Sequence, residues 1–110
     1  MQFDIPHPTK ENKRLLHGYL VGPELGVYIR GRLTEHTIIE LPDYWTGLVD
    51  PETITVHLTQ IGSTQDLMVD KIVWGRTIHV RSGTASRIDC YFIVNAMRKD
   101  IPPLEIEQDA

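Results

Sequence analysis

Cysteine is nearly absent: Cys90 is the only one in 110 residues. A single thiol makes no intrachain disulfide and no thiolate metal cluster. Its place in an apolar alternation reads as a small buried strand residue. Long apolar runs are missing too. None approaches the roughly 20 residues a membrane helix requires, so no membrane insertion is expected. The first six residues lack a basic stretch followed by an apolar one, so no signal peptide is read there. There is no excess of positive charge: 11 Lys and Arg stand against 15 Asp and Glu, for a formal net charge of −4. That argues against a nucleic-acid partner while leaving room for a local basic patch. The Gly-x-Ser-x-Gly, P-loop and dinucleotide fingerprints are all missing, as are internal repeats and low-complexity tracts.

What is present is an apolar fraction of 41%. That is enough to bury a core in one domain of this length. The apolar residues alternate. In Thr53–Thr59, Ile54, Val56 and Leu58 point one way and Thr55, His57 and Thr59 the other. Strands are also expected over Leu15–Val21, Val27–Leu33, His36–Leu41, Leu67–Trp74, Thr77–Arg81 and Arg87–Met97. Turn signals separate them at Gly22-Pro23-Glu24, Thr34-Glu35, Asp50-Pro51-Glu52 and Gly62–Gln65, with a tight hairpin at Gly75-Arg76. Asp43 is read as the N-cap of a short helix over Tyr44–Leu48, weakened by Gly47. In the last strand Ile88, Cys90, Phe92, Val94 and Ala96 share a face, while Tyr91, Ile93 and Met97 put apolar groups on the other. Cover on both sides is therefore expected. About seven short strands at regular spacing predict an all-β antiparallel sandwich or open barrel with one short helix. Residues 1–14 read as an extended arm because of Pro6 and Pro8, 15–101 as the β-rich domain, and 102–110 as an acidic tail after Pro102-Pro103.

Candidate chemistry is sparse. No two of the five histidines have a ligand spacing, and zinc needs three or four converging donors. His57 and His79 lie on polar strand faces. They read as exposed strand residues, or as a pair meeting across a sheet. Asp43, Asp50 and Glu52 cluster, and capping and turn formation account for them. Arg30 and Arg32 share a strand face and, with Arg81 and Arg87, form a candidate cationic surface. Its plain role is to discourage strand pairing. Its functional role would be to bind an anionic group of a surface polysaccharide. Trp45 and Leu48 are expected in the core. Trp74, beside a turn, is a candidate contact for a partner subunit or ligand. No catalytic residue, metal site or cofactor is expected, and no enzymatic activity.

Several segments in order carry a family resemblance. They are Phe3–Gly18, beginning Phe3-Asp4-Ile5-Pro6-His7-Pro8; Gly22-Pro23-Glu24 with Val27–Gly31; Ile38–Trp45; Thr53–Thr59; and Asp89-Cys90-Tyr91-Phe92 through Arg98-Lys99-Asp100. Together they resemble a module near the C-terminal ends of tail-fibre and other virion structural proteins of tailed phages, especially phages of marine cyanobacteria. The resemblance implies a non-enzymatic virion part, assembled in the host cytoplasm, homotrimeric like other fibre modules and in contact with other virion proteins. It implies a role in host attachment, with Gly62–Gln65 and Ser82–Ser86 near the exposed tip. The rival readings are a capsid decoration or collar protein, a trimerisation module for a fibre shaft, and, last, a depolymerase. Fibre proteins carry a shaft before the distal module, so this chain would be that module alone or a stand-alone virion protein. Threefold packing would cover the second face of the last strand.

Overall fold

The computed structural model describes residues 2–109. It is all β, with eight strands: β1 (Gln2–Pro6), β2 (Arg14–Gly18), β3 (Gly26–Thr34), β4 (Ile38–Glu40), β5 (Thr55–Gln60), β6 (Leu67–Val73), β7 (Thr77–Ser82) and β8 (Asp89–Met97). All pairings are antiparallel. They form a β1–β2 hairpin and two three-stranded sheets, β3–β8–β5 and β4–β7–β6.

The alternation in the sequence decides which faces meet. Val27 and Leu33 of β3 and Cys90, Val94 and Ala96 of β8 are buried, as are Ile39, Ile78 and Val80 of the second sheet. Between the sheets runs the segment 41–54, which adds Leu41, Trp45, Leu48, Val49 and Ile54 to the same core. It holds no α-helix among the described residues. A 3-10 turn spans Asp43–Trp45, with Pro42 at its N-cap and no side-chain capping bond. Two features end it early: Thr46 is extended, and Gly47 takes φ +81°. The expected Asp43 cap is thus replaced by a turn, and Asp43 instead lies 3.9 Å from the Lys10 ammonium. Asp50 does cap: its carboxylate accepts from the Glu52 N–H at 3.0 Å and starts a second 3-10 turn, Pro51–Thr53.

Residues 2–6, read as part of an arm, are a strand of this chain's own hairpin. Pro6 sits at the end of β1, where a missing N–H breaks no ladder. Phe3 and Leu15 are buried on the inner side of the hairpin. The hairpin closes through His7 N–H to Lys13 C=O at 2.9 Å, and the His7 Nδ1 accepts from the Thr9 and Lys10 amides. The two-residue turn between β6 and β7 lies one position earlier than expected. Trp74 and Gly75 both have positive φ, and Arg76 N–H donates to Val73 C=O. That geometry matches the right-handed twist of the flanking strands.

Candidate interaction surface

The outward residues of β3, β8 and β5 form one face. The register sets Arg30 opposite Ile93, Arg32 opposite Tyr91 and Tyr28 opposite Asn95. On the other side of β8, His57 is opposite Ile93 and Thr59 opposite Tyr91. Arg30, Arg32 and His57 are thus brought together, flanked by Tyr28, Tyr91 and Ile93, which are 48%, 53% and 42% exposed. Arg30, Arg32, Tyr91 and Ile93 surround a shallow depression of about 510 Å³ floored by Gly31 and Phe92. A Cβ at Gly31 would stand 2.9 Å from the Phe92 ring, on the core side of the sheet, and would force that ring to shift.

The two arginines differ. Arg32 donates twice to Asp89, Nε to Oδ1 and Nη2 to Oδ2, both at 2.9 Å. Those bonds hold the Asp89 carboxyl below the usual carboxylate range and raise the Arg32 guanidinium above its ordinary value. The guanidinium also lies 5.8 Å from the Tyr91 ring centroid. Arg30 has no acidic partner among the described residues, whereas Arg81 pairs with Asp70 and Arg87 with Glu35. The cationic surface therefore reduces to Arg30, with Arg32 as a partly neutralised neighbour.

The other sequence candidates lie elsewhere. His79 is on β7, in the second sheet, between buried Ile78 and Val80, and so points away from the core. His57 and His79 do not meet: each faces outward from a different sheet. No three His, Cys, Asp or Glu side chains converge as metal ligands among the described residues. Trp74 stands alone at the β6–β7 tip, 90% exposed. Cys90 is buried, and burial pushes its thiol up, away from the reactive thiolate.

Two residues that the sequence did not single out organise the ends of the fold. Gln65 is 1% exposed. Its amide accepts from the Asp89 N–H at 2.8 Å and donates to the C=O groups of Ile61 (3.1 Å) and Asp89 (2.9 Å). It stands in for a peptide group just where the β5–β8 ladder ends. Its own C=O accepts from the Ser82 hydroxyl at 2.7 Å and from Thr84. The loops 62–65 and 82–86 are therefore tied together at one end of the domain. Arg98, at the opposite end of β8, lies 4.1 Å over the Phe3 ring and donates to both Asp100 oxygens, at 2.9 and 2.6 Å. It fixes the hairpin to the sheet. Nothing in the periodicity marks either residue, since one sits in a polar loop and the other at a strand end.

The molecule exposes 7809 Å². A folded monomer of 12.6 kDa is expected to expose about 6,200 Å². The radius of gyration is 16.1 Å, against roughly 13 Å for a compact chain of this length. The open β3–β8–β5 face and the uncovered residues 102–109 both contribute. Compared with known protein families, curated proteins and solved structures, the chain matches none.

Proposed function

We propose that the chain is a non-enzymatic structural module of a tailed-phage virion: a tail-fibre domain that works as a homotrimer and contributes to host attachment. The virion part of this reading rests on the ordered resemblance of its segments. The assembly part rests on one observation, the exposed Tyr28–Tyr91–Ile93 face carrying Arg30. Apolar area of this kind is stabilised by burial against a partner, at about 25 cal/mol per Å². The surplus surface, shared between this face and the exposed residues 102–109, is of the order of two standard half-interfaces, roughly 800 Å² each, which is what a subunit in a ring of three gives up.

The tip assignment draws support from Gln65, which holds the two loops side by side at the end of the domain away from Arg98. A sugar-binding tip needs such a rigid platform, because loop ordering otherwise subtracts from affinity. The test is binding of fluorescently labelled chain to a panel of marine cyanobacteria, alongside a variant with Gly62-Ser63-Thr64 and Gly83–Ala85 replaced and Gln65, Ser82 and Ser86 kept. The expected result is strain-selective binding that the variant loses. Binding that survives the replacement contradicts the tip assignment, and absence of binding to any strain contradicts the attachment role.

A further inference from the structure

β3 is one of the two outer strands of its sheet, nine residues long and without a bulge. The other outer strands of the two three-stranded sheets are shorter or blunter: β5 has six residues, β4 has three, and β6 is interrupted by a bulge at Asp70. At the two ends of β3, Glu35 N–H donates to Ile88 C=O and Arg98 N–H to Leu25 C=O. These bonds fix the phase of the antiparallel ladder. Odd-numbered residues of β3 bond to β8, so Tyr28, Arg30, Arg32 and Thr34 direct their N–H and C=O groups outward from the open edge. Leu20 lies against its start, at Gly26, and a groove of about 430 Å³ runs between Gly26–Arg30 and the chain's own His17–Leu20.

Elsewhere the same molecule carries a segment with strand-like alternation and no regular structure of its own. After Pro102-Pro103 the sequence runs Leu104-Glu105-Ile106-Glu107, alternating apolar and acidic. Residues 102–109 are exposed and join no strand ladder among the described residues, leaving Leu104 and Ile106 48% and 71% exposed. The two prolines favour extended backbone and cannot continue the ladder of β8.

We infer that the Leu104–Glu107 segment of one copy adds as a strand to the open β3 edge of a second copy. The inference rests on the proposed self-assembly and names the contact that makes it. Charge selects this occupant. Strand alternation puts Glu105 and Glu107 on one face two residues apart, the same spacing as Arg30 and Arg32. When that face is the outer one, Leu104 and Ile106 fall on the inner face beside Ile29, Gly31 and Phe92. Ile29 and Phe92 are only half-buried, and the Phe92 ring reaches over Gly31 toward the open edge. Arginines on an edge repel a cationic strand and attract an acidic one. Arg30, which has no partner at home, then acquires one. Main-chain bonds supply affinity and the alternating side chains supply register, as in other strand additions.

The test uses the full chain at about 10 µM and low salt, read by light scattering and by hydrogen exchange at the Tyr28, Arg30 and Arg32 amides. In the wild type, these amides are expected to be protected in a concentration-dependent manner within an oligomer. Ile106→Asp, which sets a charge on the inner face beside Ile29 and Phe92 without touching the chain's own core, and Glu105→Lys/Glu107→Lys are each expected to reduce the mass to a monomer. Both should raise exchange at those three amides at least tenfold. Adding Arg30→Glu to the lysine variant should restore part of the oligomer. An oligomer that persists unchanged in both variants overturns the strand exchange while leaving self-assembly standing. A wild-type monomer overturns both. Protection that does not depend on concentration places the segment on its own chain's edge and refutes the exchange between copies.

Discussion

Replacing Gln65 by methionine isolates what its amide does, because Met has similar volume and adapts to the site. The substitution removes three hydrogen bonds, but the partners are not equally affected. The Asp89 C=O keeps its bond from the Ile61 N–H at 3.0 Å. The Asp89 N–H and the Ile61 C=O lose the partner that Gln65 gave them. Each orphaned group costs about 1–3 kcal/mol where water cannot reach it. Both are part-buried, so the expected loss is roughly 3 kcal/mol, in the lower half of the about 2–6 kcal/mol that two fully buried orphans would cost. In a domain of this size that lowers Tm by about 12–20 °C. The assay is urea unfolding followed by the fluorescence of buried Trp45, with the slope m unchanged between the two proteins. Gln65→Glu gives a second handle. Its carboxylate faces two carbonyl oxygens, which raises its folded pKa, so the penalty relative to wild type is present at neutral pH and shrinks on acidification. A loss below about 0.5 kcal/mol for Gln65→Met would refute the claim that the amide completes the β5–β8 ladder.

Trp45 is 2% exposed and its indole N–H has no partner, so Trp45→Phe sheds an orphaned donor and should cost under about 1.5 kcal/mol, whereas Trp45→Ala should cost about 3–5 kcal/mol; equal losses by thermal melting would contradict the assignment. Arg98→Ala leaves Asp100 and the Phe3 ring without their cation and should cost about 2–4 kcal/mol, with amide exchange rising first in β1 and β2; a uniform rise across all strands would show that Arg98 does not act on the hairpin. The Asp89 carboxylate, its pKa lowered by hydrogen bonds from Arg32, contributes stability that is present above the ordinary carboxylate range and lost as pH falls through its folded value. Urea midpoints of wild type and Asp89→Asn should therefore converge between pH 6 and pH 3, and a gap that widens on acidification would reverse the sign.

The strands were legible because one physical signal, period-two alternation against a single core, specifies them. Val27–Leu33 and the Ile88–Ala96 alternation transfer almost unchanged into β3 and β8. That signal names faces but not sheets. It put His57 and His79 correctly on polar faces and said nothing of the separate sheets that keep them apart. Prolines misled at the start, where Pro6 ends a strand without harming it, so residues 2–6 belong to a hairpin. The Trp74–Gly75 turn was displaced by one residue because a tryptophan with positive φ is not a turn residue by composition. The expected helix over 44–48 gave way to a 3-10 turn because Trp45 and Leu48 reach the core without one. Half of the candidate surface was visible in the two-residue spacing of Arg30 and Arg32. His57, Tyr91 and Ile93 joined it only through strand order, which no local pattern encodes.

The open β3–β8–β5 sheet is the proposed subunit contact. The solution mass of the full chain, measured by light scattering on a size-exclusion column at about 10 µM, tests it most directly. The expected mass is near three times 12.6 kDa, falling toward the monomer as salt rises, because the Arg30 and Glu105–Glu107 charges are exposed and screened. A mass of 12.6 kDa at every concentration and salt level would contradict it.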